Sequence, residues 1–299
     1  MAGADDTRPV NAPPTGSPDG PATAAAPARE VVAWRWRLPR ERRVTPRAPV
    51  AHGDAVFAAF HYERGAVGAS TLVCLDAATG RARWTWNCAR ILNVPAVGPD
   101  GTAYVTVFSG EVCALAPEDG REVWRTRTGG PSPWVPVLAG ERAGRLVFAE
   151  LGNTSRTWCL DARTGGMLWT TRTGGHAYAL AAVDGRVVHA TAPEGSSFDP
   201  GGPGPAALHG LDLASGRPLW RAESEEYLFA TALPPGRGVA LVGARGSVRS
   251  YDAATGAPLA VLPLPDRAAA AGPPLLRGTD LFVGDDTGTL RRVDAARVG

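Results

Sequence analysis

Residues 75–84 read LDAATGRARW, and four variants of this ten-residue segment follow along the chain. The variants are LAPEDGREVW at 115–124, LDARTGGMLW at 160–169, LDLASGRPLW at 211–220 and YDAATGAPLA at 251–260. Their glycines are separated by 40, 45, 51 and 40 residues, and Asp294, 42 residues after Asp252, begins a sixth copy. A repeat of this length indicates a solenoid or a propeller.

The sequence between the copies predicts four short β-strands in each repeat. Residues 94–116, VPAVGPDGTAYVTVFSGEVCALA, alternate β-branched and apolar residues with glycine turns and show no helical period. The innermost strands are expected near 47–51, 93–97, 134–138, 178–183, 229–233 and 272–276. Four-stranded sheets repeated at this spacing predict an all-β fold, a β-propeller of four-stranded blades.

The repeated segment itself is predicted to be the turn between the third and fourth strands. Asp76 and Thr79 can bond the backbone amides of the turn, and Gly80 can take the positive φ that a tight turn requires. Trp84 then lies on the outer strand and can stack on the turn of the next repeat. The residues expected to have this structural role are Asp76, Gly80, Trp84, Trp124, Asp161, Gly165, Trp169, Asp212, Gly216, Trp220, Asp252 and Gly256.

The pattern Leu-Asp-x-x-Thr-Gly-x-x-x-Trp resembles the tryptophan-docking motif of the PQQ-like, or quinoprotein-type, β-propeller family. The resemblance covers about residues 31–299. Two copies depart from it. One has Ala116 and Asp119 where the motif has Asp and Thr, and another ends in Ala260 instead of Trp.

The two ends of the repeat region predict how the propeller closes. The sixth repeat reaches TLRRVDAARVG at 289–299 without an outer strand, whereas REVVAWRWRLP at 29–39 resembles an outer strand with no repeat before it. We therefore expect six blades, with residues 31–38 completing the last one. Residues 1–30 are rich in Pro and Ala and contain no aromatic residue, so we expect a disordered tail or linker there and the propeller over 31–299.

Composition excludes several classes of protein. The net charge of +2 provides no strong field for nucleic acid, and no run of about 20 apolar residues predicts membrane insertion. The N-terminus lacks the basic start and apolar run of a secretory signal, which predicts a cytoplasmic protein, and we expect a monomer. The cysteines at 74, 88, 113 and 159 have no metal-ligand spacing and are expected to be core residues.

The family resemblance raises the question of a quinone cofactor. The resemblance implies a comparison with quinoprotein dehydrogenases, which have eight blades and about twice this length. In those enzymes a vicinal disulfide lies against the quinone and a calcium ion is bound. This sequence has no adjacent cysteine pair. We therefore expect no PQQ, no metal and no other cofactor.

Propellers bind ligands where loops converge on one face of the central channel, and the loops near 61–70, 150–156 and 190–206 are expected on that face. The candidate ligand-binding residues are His61, Asn93, Trp134, Tyr178, Tyr227, Arg156 and Arg245. If the protein is an enzyme, His176 and Glu150 are the candidate acid and base. The sequence favours a solvated loop histidine at His176 over a catalytic one, and Trp134 either walls a pocket or fills the channel.

These observations favour a non-catalytic binding, scaffold or sensor propeller that recognises a protein or small ligand on this face. The chain resembles the sensor propellers of some bacterial serine/threonine kinases and the assembly-scaffold propellers of bacterial envelopes. The alternative is a cytoplasmic enzyme with its site at the channel mouth. A PQQ-dependent dehydrogenase is a third hypothesis.

Overall fold

The computed structural model describes part of the chain, in thirteen segments. The described residues are 33–38, 44–64, 67–129, 137–139, 144–150, 156–192, 203–226, 229–232, 239–244, 247–264, 275–277, 280–284 and 289–294. The chain divides into two units, Met1–Arg35 and Trp36–Gly299. The predicted tail at 1–30 lies outside the described residues. None of the described segments is a helix of the length and apolarity that crossing a membrane requires.

The first sheet has five antiparallel strands and is called blade 1. Its strands are β1 (Val44–Pro46), β2 (Val50–His52), β3 (Ala55–Arg64), β4 (Val67–Asp76) and β5 (Ala82–Cys88). β3 is long enough to pair with both β1 and β2, so two short strands form the inner edge, and only residues 50–51 of the inner strand expected at 47–51 are strand. Pro46 and Pro49 explain the interruption, because proline has no backbone N–H to donate to a ladder.

Blades 2 to 5 each contain four antiparallel strands in chain order. Blade 2 is β6 (Ala96–Val97), β7 (Ala103–Val107), β8 (Glu111–Leu115) and β9 (Glu122–Arg127). Blade 3 is β10 (Val137–Ala139), β11 (Arg145–Ala149), β12 (Arg156–Asp161) and β13 (Met167–Arg172). Blade 4 is β14 (His176–Val183), β15 (Arg186–Ala192), β16 (Pro203–Asp212) and β17 (Pro218–Glu226). Blade 5 is β18 (Phe229–Ala232), β19 (Val239–Ala244), β20 (Ser247–Asp252) and β21 (Pro258–Pro263).

Blade 6 has three strands among the described residues, namely β22 (Leu275–Arg277), β23 (Asp280–Gly284) and β24 (Leu290–Asp294). Residues 33–38 have no strand assignment. Closure of the last blade by residues 31–38 therefore stays a prediction. Within the second unit, the Trp36 ring packs on Phe60 of blade 1, with ring centroids 5.3 Å apart.

The hydrophobic core lies between consecutive sheets, because both faces of each inner strand pair are apolar. Phe57 and Leu72 of blade 1 pack against Val105 and Leu115 of blade 2. Equivalent clusters join blade 2 to blade 3, blade 3 to blade 4, and blade 4 to blade 5. A single sheet cannot bury two apolar faces, so each blade depends on its neighbours for stability.

Two loops expected from the sequence are partly strand. Residues 61–64 and 67–70 are the paired end of the β3–β4 hairpin, with Tyr62 opposite Ala69. The prediction of a loop over 61–70 was therefore wrong. Tyr62 and Ala69 are both buried, which explains why pairing continues toward the end of this hairpin. Likewise β15 extends to Ala192 and β16 begins at Pro203, so only 193–202 of the expected 190–206 loop lies outside the strands and the described residues.

Candidate functional site

The repeated segment forms a contact between neighbouring blades. The Trp84 indole N–H donates to the Pro117 carbonyl of blade 2, with Nε1 and O 2.8 Å apart. Three further indoles make the same bond to the next blade, at 2.9 to 3.0 Å. These pairs are Trp124 with Ala162, Trp169 with Leu213, and Trp220 with Ala253. Four successive junctions are thus fastened by one repeated hydrogen bond.

Each indole lies flat over a glycine of the neighbouring turn. Gly120 has a φ of +69°, and a Cβ there would lie 2.5 Å from Cε3 of Trp84. Gly165, Gly216 and Gly256 have the same backbone conformation and the same close approach to an indole. Glycine is required at this position both for its conformation and for the space above it.

The aspartate of each turn holds the loop in shape. Asp76 Oδ1 accepts hydrogen bonds from the backbone N–H and the hydroxyl of Thr79, and Asp161, Asp212 and Asp252 repeat this arrangement. Arg83 bridges Asp76 and Asp54, and its hydrogen bond is the main reason why the pKa of the Asp76 carboxyl is far below its usual range. The turn chemistry is structural.

A threonine two residues after the tryptophan adds a second fastener that the sequence analysis missed. The Thr126 hydroxyl donates to the Gly165 carbonyl and the Thr171 hydroxyl to the Gly216 carbonyl, each over 2.6 Å. The sequence signal is Trp-x-Thr in the second and third copies. Blade 1 departs from it, because Trp86 stands at this position.

Two predicted ligand residues in blades 1 and 2 are positioned by contacts within the fold. The His61 ring lies over Gly68 on the neighbouring strand, with Nδ1 3.4 Å from Ser70 Oγ. Asn93 is buried, and its amide donates to the Thr106 hydroxyl over 3.1 Å. Both residues therefore have a structural role, and ligand binding by them stays a prediction.

Glu150 is placed after β11 and is only 3% exposed. Within the described part of the chain, neither its Oε1 nor the buried Nε1 of Trp158 has a hydrogen-bond partner. Burial raises the pKa of the Glu150 carboxyl, while the nearby Trp158 N–H and the charges of Arg156 and Arg172 act in the opposite direction. Glu150 is thus close to the predicted site residue Arg156.

The remaining candidates are not tested by the described structure. His176 and Tyr178 lie on β14, but their side chains lie outside what is described. Trp134, Tyr227 and Arg245 lie outside the described residues altogether. Pairing of His176 with Glu150 therefore stays a prediction.

Two other histidines form a buried polar cluster between blades 3 and 4. His189 and His209 are opposite each other on β15 and β16, with ring centroids 5.8 Å apart. His189 Nε2 lies 3.1 Å from the Thr173 hydroxyl, and His209 Nε2 lies 3.0 Å from the Thr191 hydroxyl. Burial lowers the pKa of His189 to about 3 and that of His209 to about 4. Both rings are therefore neutral parts of the core.

An open cleft of about 570 Å³, lined by both polar and apolar groups, lies between blades 1 and 2 at the end of the sheets opposite the repeated turns. Trp86 and Cys88 of β5 form one wall, and Glu111 and Arg127 of blade 2 form the other. Arg90 lies where the chain leaves β5. Trp86 is half-buried, so part of its ring packs on the core and part remains accessible.

The described residues do not fit a quinone site of the kind that the family resemblance implies. Cys74, Cys113 and Cys159 are buried free thiols, and burial raises the pKa of each. They lie on separate blades, so no vicinal disulfide can form. Among the described side chains, no group of three His, Cys, Asp or Glu residues is placed to hold a metal ion.

Comparison with known proteins agrees with the repeat and the sheet order. The sequence matches the PQQ-like family described as "Outer membrane protein assembly factor BamB" over residues 68–224 and 205–297. It is 28% identical over 261 residues to the outer membrane protein assembly factor BamB of Burkholderia pseudomallei (strain K96243). That alignment covers 83% of this chain, and the chain spans 62% of the relative's length.

Two solved structures resemble the fold. The computationally designed Ika8 protein gives a TM-score of 0.63 at 16% identity, covering 83% of this chain and 70% of that protein. The quinohemoprotein alcohol dehydrogenase of Comamonas testosteroni gives 0.52 at 15% identity, covering 86% of this chain and 47% of the enzyme. These likenesses concern the fold alone. With the repeat, the antiparallel sheets and the family match together, the chain belongs to the PQQ-like β-propeller family described as outer membrane protein assembly factor BamB.

Proposed function

We propose that this chain is a non-catalytic scaffold that binds a protein partner on its propeller. The observation that carries the proposal is the match over residues 68–297 to a family described as an assembly factor. The repeated indole contacts support it, because they hold successive sheets in fixed positions and so preorganise a binding surface. The sequence is also compatible with a sensor that binds a small ligand instead of a protein.

Affinity purification after chemical cross-linking in the source cells tests the scaffold function. We expect a stoichiometric protein partner that stays bound during size-exclusion chromatography. A chain that elutes alone at 31.0 kDa and converts a substrate contradicts the proposal. Cell fractionation in the same experiment tests the predicted cytoplasmic localisation.

One observation favours an enzyme as the second candidate. Glu150 has a buried, unpartnered carboxyl oxygen and a raised pKa, which are properties of a general acid or base. Substrate screening tests this alternative, with Glu150→Gln as the variant. Turnover that is lost in the variant, while the variant stays folded, supports the enzyme.

We also propose that the propeller has six blades and that residues 31–38 supply the outer strand of the last blade. The sequence Trp34-Arg-Trp36-Arg37 matches Trp124-Arg-Thr-Arg127 of β9. The turn of blade 1 supports the proposal, because the φ of Gly80, +69°, equals that of Gly120. Gly120 lies under an indole of the preceding blade, so the turn at Gly80 has the backbone conformation that accepts such an indole. Deletion of residues 1–28 should leave the melting temperature unchanged, whereas deletion of 29–39 should abolish cooperative unfolding.

A further inference from the structure

The outer strand of blade 1 differs from those of blades 2 and 3 at two positions that line the cleft between blades 1 and 2. Two residues after the docking tryptophan, blades 2 and 3 have Thr126 and Thr171, whereas blade 1 has Trp86. Four residues after it, blades 2 to 4 have Thr128, Thr173 and Ser224, whereas blade 1 has Cys88. The hydroxyl of Thr126 or Thr171 fastens its blade to the next, so blade 1 lacks this bond and its two replacements border an open cleft instead.

Among the described residues that line the cleft, Glu111 is the one carboxylate, and protein donors already engage both of its oxygens. Glu111 accepts hydrogen bonds from Ser109, Arg125 and Arg127, at 3.0, 2.9 and 3.3 Å. Arg125 also makes two bonds to Glu122, at 2.6 and 2.9 Å. The described lining residues therefore offer a cationic ligand no carboxylate without a protein partner.

The guanidinium groups, in contrast, keep unused donors. Arg90 has no ion pair within the part of the chain that the structure describes, and its Nη1 makes a 3.5 Å contact to the Ala89 carbonyl. The Arg127 side chain is 84% exposed and uses only Nε toward Glu111. An acceptor that enters the cleft can take hydrogen bonds from both side chains without displacing a protein carboxylate.

We propose that this cleft binds an acidic segment of a partner protein in which a carboxylate is followed closely by an aromatic or aliphatic side chain. The carboxylate pairs with Arg90 and Arg127, and the apolar side chain packs on the accessible part of Trp86. The cleft is open and its volume of about 570 Å³ accommodates several side chains, which suits a peptide segment. This inference rests on the scaffold function and names the chemistry of its partner.

Selection from a phage-displayed library of random dodecapeptides tests the inference. We expect enriched peptides to combine Asp or Glu with aromatic or aliphatic residues, and their affinity to fall as ionic strength rises. Fluorescence anisotropy with the synthesised peptides then compares the native chain with Arg90→Glu and Trp86→Thr. We expect each substitution to weaken binding about tenfold, because each removes one of the two groups that recognise the peptide.

Trp86→Thr restores the residue that blades 2 and 3 have, so it should keep the fold while removing the binding wall. Arg121→Glu is the matched control, since it makes the same charge change on an exposed arginine of blade 2 outside the cleft. Affinity for the peptides should be unchanged in this control. Peptides that bind native chain and Arg90→Glu equally overturn the cleft assignment and leave the scaffold function intact. Absence of any enrichment over bare matrix overturns this inference, whereas the scaffold function is tested separately by affinity purification of the partner.

Discussion

The contact between Trp84 and Gly120 allows a quantitative test of how the blades hold together. Trp84 is 7% exposed, its indole N–H is bonded to Pro117, and its ring meets Phe57 edge-on at 5.9 Å. A buried tryptophan removes about 150–250 Å² from water, which corresponds to about 4–6 kcal/mol at about 25 cal/mol per Å². Partial relaxation of the neighbours recovers some of this. We therefore expect Trp84→Ala to lower the free energy of unfolding by about 3–5 kcal/mol.

Gly120→Ala perturbs the same contact from the other side. The left-handed backbone alone costs about 1 kcal/mol for alanine. A Cβ 2.5 Å from the Trp84 ring must also push the indole from its place. Gly53 is the matched control, because its φ is also positive, at +56°, while nothing lies within 4 Å of its Cβ position.

Urea denaturation of the single variants and of the double variant separates the two effects. Gly120→Ala should cost about 2 kcal/mol more than Gly53→Ala in the native background, and this excess should disappear when Trp84 is alanine. The melting temperature of Trp84→Ala should fall by about 6–20 °C, given about 2–4 °C per kcal/mol for a chain of this size. Equal costs for the two glycine substitutions, or additive effects of Gly120→Ala and Trp84→Ala, would show that the indole does not press on this turn.

Three further experiments test other parts of the structure. His189 and His209 have lowered pKa values in the folded chain. Near and below the ordinary histidine pKa of about 6.5, the unfolded chain therefore binds more protons than the folded chain. The free energy of unfolding should fall by about 2 kcal/mol for each histidine between about pH 7 and about pH 5. Denaturation at both pH values checks this, and the drop should be smaller in His209→Gln. Thr171→Val removes the bond to Gly216 and should cost about 1 kcal/mol in urea, whereas Thr85→Val at an exposed site should change little. Added PQQ and calcium should give no thermal shift and no new absorbance; a saturable shift would contradict the proposed absence of this cofactor.

The sequence predicted the sheets well because the repeat supplies several independent readings of the same unit. Val50, Ala96 and Leu275 all lie in inner strands close to where the copies place them. The hairpin at 61–70 was misjudged because Glu63, Arg64 and glycine suggest a loop, while the burial of Tyr62 and Ala69 that sustains the pairing depends on tertiary contacts.

The candidate site was harder to predict, because a polar side chain in a loop can serve the fold or a ligand. Asn93 was selected as a ligand residue from its place in a connecting loop, yet its amide is bonded to Thr106 in the core. Trp86 and Arg90 give the opposite lesson. Their significance becomes visible only when the outer strands are aligned and the cleft between two blades is known.

The fifth copy of the repeated segment has Ala260 where the four others have an indole. On the same strand Leu259 is half exposed and Val261 is 60% exposed. The seam between the fifth and sixth repeats therefore lacks the contact that closes the four seams before it. In native-state hydrogen exchange, amide protons along β21 should exchange at lower denaturant than those of β5, β9 and β13. A chain built from similar repeats thus has seams of unequal stability, and we expect opening to begin at the seam that has Ala260 in place of an indole.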